Sequence, residues 1–156
     1  MNLTIHNFVN SNKKIKKEYL CLSHGGNNIC PKMSWSCIDN AKSYVIIMED
    51  PDAVVSNFVH LFLYIDIINN KSCNTLSHKL YFGKNSLNEN SYNGPCAPKN
   101  TGVHRYIFTI YALNKKIQFN KNNDKINGTK DFIDKITNMD YKILSKESIQ
   151  FKYSYL

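Results

Sequence analysis

The sequence predicts a mostly β domain, and three observations carry that reading. Four apolar segments of strand composition lie far apart in the chain, turn-rich connectors separate them, and one segment near the end has helical spacing. With 156 residues, 42% hydrophobic and 21% charged, the chain matches one domain spanning 1–156, since domains hold about 100 to 200 residues. That balance excludes a disordered, collagenous or coiled-coil chain.

Ser43 to Met48 is a short β-branched run that ends at the acidic turn Glu49-Asp50-Pro51-Asp52, as a buried strand feeding a loop does. Phe58 to Ile65 follows. A period of two puts Phe58, His60, Phe62 and Tyr64 on one face and Val59, Leu61, Leu63 and Ile65 on the other. Both faces are apolar, which predicts a central strand. In Val103 to Leu113, one face carries His104, Tyr106, Phe108 and Ile110, the other Arg105, Ile107, Thr109 and Tyr111. Glu147 to Tyr155 alternates Ile149, Phe151, Tyr153 and Tyr155 with polar residues, the pattern of a strand with one wet face. The helix follows Gly128. Thr129 is its expected N-cap, Asp131 suits the positive first turn, and Phe132, Ile133, Ile136, Met139 and Ile143 recur at helical spacing. Lys13 to Lys17 reads as a basic surface run, Ile68 to Asn90 as a polar connector with strand character at Leu80 to Phe82, and Asn114 to Asn127 as a loop.

The formal charge is +8, yet all but one of the 20 basic residues are Lys, dispersed among Asn and Ile. Dispersed lysines describe a solvated surface, and without a recognition motif they do not predict nucleic-acid binding. The apolar stretch from Phe58 to Ile68 is interrupted by His60 and Asp66 and is far shorter than the roughly 20 residues a membrane helix needs. Met1 to Asn10 lacks a cationic-then-apolar run, so no secretory leader and a cytoplasmic location are expected. Cys21, Cys30, Cys37, Cys73 and Cys96 form an odd, irregularly spaced set. Reduced thiols, no disulfide, no metal and no cofactor are expected from it.

Polar and backbone-restricting residues concentrate at Glu49-Asp50-Pro51-Asp52-Ala53, at His60, and at Asn93-Gly94-Pro95-Cys96-Ala97-Pro98 running into His104-Arg105-Tyr106. Two prolines in the last loop suit a rigid pocket wall. Arg105, the sole Arg, offers a planar fork that Lys cannot copy, and is expected to bridge to an acidic loop group or to backbone carbonyls. Trp35, the sole Trp, is assigned to packing.

Taken in order, Gly26-Asn27-Asn28-Ile29-Cys30-Pro31-Lys32-Met33-Ser34-Trp35, the Asp-Pro-Asp turn, Val59-His60, Gly83-Lys84-Asn85-Ser86, Gly94-Pro95-Cys96-Ala97-Pro98-Lys99 and His104-Arg105-Tyr106 resemble the phosphatidylethanolamine-binding protein family. The likeness is nearest to its short bacterial and archaeal branch, often called Raf-kinase-inhibitor-like. It implies a large central antiparallel sheet, a smaller second sheet and a few peripheral helices. It also implies an anion-accepting pocket at Asp50, Asp52, His60, Gly94, Pro95, Pro98, His104 and Tyr106. The chain departs from the family at Val54, Leu61, Ile65 and Ala97, where Pro, Trp, Asn and Pro are frequent.

The resulting expectation is a non-enzymatic binding protein for a phosphorylated small molecule or phospholipid headgroup, modulating a protein kinase or another signalling partner. A homodimer and peripheral membrane contact complete the expected partners. The alternatives are a hydrolase-like enzyme using the His/Asp pocket, by acid/base chemistry or by thiol chemistry at Cys96, and a binder of polyanions or membrane surfaces driven by charge.

Overall fold

The computed structural model describes residues 1–67, 79–118 and 124–156. In chain order the elements are β1 (Leu3–Ile5), β2 (Met33–Trp35), β3 (Ser43–Asp50), β4 (Phe58–Asp66), β5 (Lys79–Phe82), β6 (His104–Leu113), α1 (Thr129–Asn138) and β7 (Ile143–Tyr153). Two single-turn 3-10 helices, Lys17–Tyr19 and Leu22–His24, precede β2. The fold is mostly β. A five-stranded antiparallel sheet runs in the order β5-β4-β3-β6-β7, and β1 pairs with β2 in a second, two-stranded sheet.

The apolar-on-both-faces pattern of β3, β4 and β6 arises because the large sheet is covered on both sides. On one side Tyr44, Ile46, Met48, Leu61, Leu63, Phe108 and Ile110 pack against β1, β2 and the N-terminal segment, with Phe8 edge-on to Phe108 and Phe151. Trp35 is buried in that core beside Tyr44, as the packing assignment requires. On the other side Val45, Ile47, Phe62, Tyr64 and Tyr111 meet Phe132 and Ile136 of α1. Full burial of side chains of this size contributes about 1.5–3 kcal/mol each, so both layers fix the central strands on which the site is built.

The strands end within a few residues of the expected bounds, and the larger differences lie around α1. The helix stops at Asn138, and Ile143 opens β7 instead of continuing the helical stripe. An apolar residue satisfies either period, and Asp140 in the left-handed region (φ 59°) makes the break. Gly128, not Thr129, occupies the N-cap position. The Thr129 N–H donates to Glu49 Oε2 at 2.8 Å, so a carboxylate from the end of β3 satisfies the helix terminus. Parts of the expected 68–90 connector and 114–127 loop, residues 68–78 and 119–123, lie outside the described residues.

The cysteine expectation is corrected. Cys21 and Cys96 form a disulfide across 75 residues of sequence, and Cys37 is also disulfide-bonded. Cys30 is free, its thiol pushed up to about 12 by burial. An odd count leaves one thiol over without forbidding pairs among the others, and the fold brings distant segments together where spacing alone cannot.

Candidate functional site

β3 and β6 are neighbours in the sheet, and their pairing carries Asp50 to the start of β6. There the Asp50 Oδ2 accepts from His104 Nδ1 at 2.7 Å, with both side chains almost wholly buried. The other ring nitrogen, Nε2, lies 2.8 Å from Thr101 Oγ1. That hydroxyl gives its one proton to the Pro98 carbonyl at 2.7 Å, so Nε2 is the donor toward it. His104 is thereby clamped from both sides. Asp50 also accepts from the Asp52 N–H at 2.8 Å through Oδ1, which fixes the acidic turn.

His60 reaches the same place by an irregularity. Leu61 pairs with Met48, but the next pair is Val59 with Glu49, leaving His60 as the extra residue of a β-bulge. A bulge re-aims a side chain, and His60 turns away from Phe62 and Tyr64 to meet Tyr106 edge-on at 5.3 Å between ring centroids. The face expected from strict alternation is therefore wrong for His60, while β6 keeps the expected faces of Tyr106 and Tyr111. His60 Nδ1 lies 2.7 Å from the Asn93 carbonyl, to which it donates. Burial pulls the imidazole down to about 4, against the opposing effect of that carbonyl and of Asp50.

These groups line a pocket of about 400 Å³. Asp50, His60 and His104 supply its polar floor, and Phe58, Ala97, Pro98, Val54 and Val55 its apolar wall and rim. Val54 is 67% and Val55 96% exposed. The described residues contain no cis peptide bond, so Val54 follows a trans peptide. Leu61 and Ile65 are core residues and do not line the pocket.

Of the expected site residues, Asp50, His60, Pro98 and His104 line the pocket, whereas Asp52, Gly94, Pro95 and Tyr106 do not. Asp52 faces Arg105, which donates from its backbone N and Nε to Oδ2 and from Nη2 to Oδ1, each at 2.9 Å. The fork anticipated for Arg105 is thus a bidentate pair with the acidic turn. These hydrogen bonds hold the Asp52 carboxyl down at about 2. Tyr106 is fully buried beneath His60. Burial pushes its phenol up, and the nearby Cys96 and Ala97 backbone opposes this at a geometry short of a regular hydrogen bond.

Gly94 and Pro95 tie the wall to the N-terminal segment. The Gly94 N–H donates to Asn28 Oδ1 at 2.7 Å, and the Cys21 N–H to the Pro95 carbonyl at 3.2 Å. A Cβ on Gly94 would collide with the Tyr19 carbonyl oxygen, so the close approach requires glycine. Sequence reading assigned no role to Thr101, Asn93 or Asn28, although the last two lie inside the quoted stretches. Thr101 bonds Pro98 and His104, Asn93 bonds His60 through both its carbonyl and its N–H, and Asn28, at a left-handed φ of 53° that Asn tolerates, bonds Gly94 and Tyr92.

A family model described as phosphatidylethanolamine-binding protein matches residues 6–154. A UPF0098 protein of Aquifex aeolicus is 32% identical over 108 residues, which are 65% of this chain and 61% of that one. A UPF0098 protein of Methanothermobacter thermautotrophicus is 35% identical over 121 residues, 72% of this chain and 76% of its own. The chain spans about three fifths of the length of the Aquifex relative and of a Pyrococcus horikoshii relative, 61% and 60%. Escherichia coli YbcL, described as a member of the mammalian PEBP family, superposes with a TM-score of 0.78 over 99% of this chain and 98% of its own. At 20% identity that likeness shows the fold. Chlamydia trachomatis CT736, described as a phosphatidylethanolamine-binding protein homolog, gives a TM-score of 0.72 at 26% identity, covering 99% and 97%.

Proposed function

Because the chain belongs to the phosphatidylethanolamine-binding protein family, we propose that it is a small binding protein whose pocket takes a phosphoryl anion, presented by a phosphorylated small molecule or a phospholipid headgroup. The observation that carries this is the convergence of His60 with the Asp50–His104 pair on the floor of an apolar-walled pocket. Asp50 is already matched by His104, so the floor does not repel an anion as a bare carboxylate would. His60 has given Nδ1–H to Asn93, which leaves Nε2 to meet the ligand. A neutral Nε2 accepts from a protonated phosphoryl oxygen, and a protonated one donates to an ionised oxygen.

Catalysis is the weaker reading. The Cys96 sulfur is held in the disulfide, which removes the thiol route of the enzyme alternative and leaves its acid/base route through His and Asp. The exposed Val54 and Val55 form an apolar lip beside the pocket, the surface at which a kinase or other signalling partner would sense the occupied site. The disulfides favour an oxidising compartment over the cytoplasm expected from the sequence.

The test is calorimetric titration of the oxidised chain with inorganic phosphate and with phosphoethanolamine. One site per chain is expected, with affinity falling at least about tenfold in His60→Ala. Equal affinity in that variant, or binding that vanishes at moderate salt and is matched by unrelated polyanions, would overturn the reading in favour of unspecific attraction to the +8 surface.

A further inference from the structure

Beside the pocket wall, one ligand atom each from Cys21, His24 and Cys96 lies within 4.8 Å of the others. We propose that reduction of the Cys21–Cys96 disulfide converts this cluster into a binding site for a thiophilic divalent cation of the zinc class. Disulfide and metal are then mutually exclusive states of the same residues.

The step balances with a dithiol as reductant. It delivers two electrons and two protons, closing to its own disulfide while Cys21 and Cys96 become thiols. The cation then displaces both thiol protons and is held by two thiolates and a neutral imidazole. Three protein ligands with a fourth position open is an ordinary zinc arrangement.

Preorganisation by the surrounding fold is the main support. Cys21 and His24 flank one 3-10 turn, closed by hydrogen bonds from His24 N to the Cys21 carbonyl at 3.2 Å and from Gly25 N to the Leu22 carbonyl at 2.9 Å. Their i, i+3 spacing is a chelating one. Cys96 is held opposite by the Cys21–Pro95 and Asn28–Gly94 hydrogen bonds, which are made by backbone and amide groups and not by the sulfur atoms. With Cα atoms 5.5 Å apart, both thiolates reach one metal by side-chain rotation, since ligands of a tetrahedral site stand about 3.5–3.8 Å apart.

His24 is oriented for the task. Its Nδ1 lies 2.9 Å from the Tyr153 hydroxyl, and its ring stacks on Tyr155 at 3.8 Å. A hydroxyl accepting from Nδ1–H leaves the lone pair on Nε2, and such an outer partner is what metal-bound histidines have. Burial lowers the His24 pKa, which favours the neutral ligand form. The Ser23 hydroxyl, 3.2 Å from the Cys21 sulfur and 3.1 Å from the Cys96 sulfur, can donate to the thiolates.

The experiment adds Co²⁺ to the dithiol-reduced chain after removal of excess reductant, with the oxidised chain in parallel. Expected are one Co²⁺ per reduced chain, with thiolate charge-transfer and tetrahedral d–d absorption displaced by Zn²⁺, and no such bands from the oxidised chain. His24→Gln keeps both thiols and should bind at least about tenfold more weakly, with circular dichroism of the reduced variant matching the reduced parent. Cys96→Ser should abolish the d–d bands although Cys30 and Cys37 remain. Bands that persist in Cys96→Ser, unchanged affinity in His24→Gln, or a reduced parent chain that gives no bands, whether folded or unfolded, would each overturn the proposal.

Discussion

His60 meets the Tyr106 ring edge-on at 5.3 Å, and it does so because β4 is bulged at His60. The aromatic ring gives the buried imidazole an apolar seat, while the Asn93 carbonyl accepts the hydrogen bond from Nδ1–H. Tyr106 therefore acts on the site through its ring. Tyr106→Phe should leave the melting temperature within about 2 °C, since it deletes a buried hydroxyl without a regular hydrogen bond. Anion affinity should stay within about twofold in a calorimetric titration. A large affinity loss in this variant would mean that the hydroxyl reaches the ligand directly.

The faces of β6 are legible in the sequence because ten residues alternate without interruption. The face of His60 is not, because one extra residue inverts the parity and nothing in Phe58-Val59-His60-Leu61 marks it. Asp50 and His104 are visible as polar residues at strand ends, but their contact depends on β3 pairing with β6 across more than fifty residues. The Cys21–Cys96 bond is hidden for the same reason. Ile143 shows a different limit, since one apolar residue fits the end of a helix stripe and the start of a strand equally well.

Arg105→Lys tests the bidentate pair with Asp52. Both partners are partly exposed, so solvent screening keeps the loss small, at most a few degrees in melting temperature. The Asp52 carboxyl should titrate above its present value of about 2, measurable by NMR. Phosphate affinity should not change, because Arg105 does not line the pocket.

His60 also gives stability a pH dependence. Burial lowers its folded pKa from 6.5 to about 4, so between those values the unfolded chain holds a proton that the folded chain refuses. Stability from this group is complete above about pH 6.5 and is lost progressively as pH falls, the loss being complete near pH 4 at roughly 3 kcal/mol. Denaturant midpoints should fall across that window in the parent chain and fall less in His60→Gln. Parallel curves for the two chains would show that His60 does not control this limb.

The same low value sets the sign of proton linkage on binding. A phosphate diester carries no proton near neutrality, so its contact with Nε2 requires His60 to be protonated, and attraction to the anion raises its pKa from about 4. Binding then takes up a proton, and affinity for a dialkyl phosphate should strengthen as pH falls, most steeply above the raised value in the complex. Calorimetry in two buffers of different ionisation enthalpy reads the uptake directly, with a limit of one proton per site. A pH-independent affinity with no uptake would show that His60 is only a wall.

Asp50→Asn removes the negative charge that His104 Nδ1 faces at 2.7 Å while keeping size and shape. In the parent chain the imidazole donates from both nitrogens, to Asp50 and to Thr101. The substitution would leave a protonated ring buried without its counter-charge, and breaking a buried pair on one side costs about 3–5 kcal/mol. With the Asp50 anchor weakened, the hold of the ring on Thr101 and Pro98 weakens too. The expected outcome is a melting temperature lower by roughly 10 °C, together with weaker phosphate binding at neutral pH. Melting by circular dichroism and calorimetric phosphate titration read the two effects, and an unchanged melting temperature would show that the Asp50–His104 contact does not hold the pocket together.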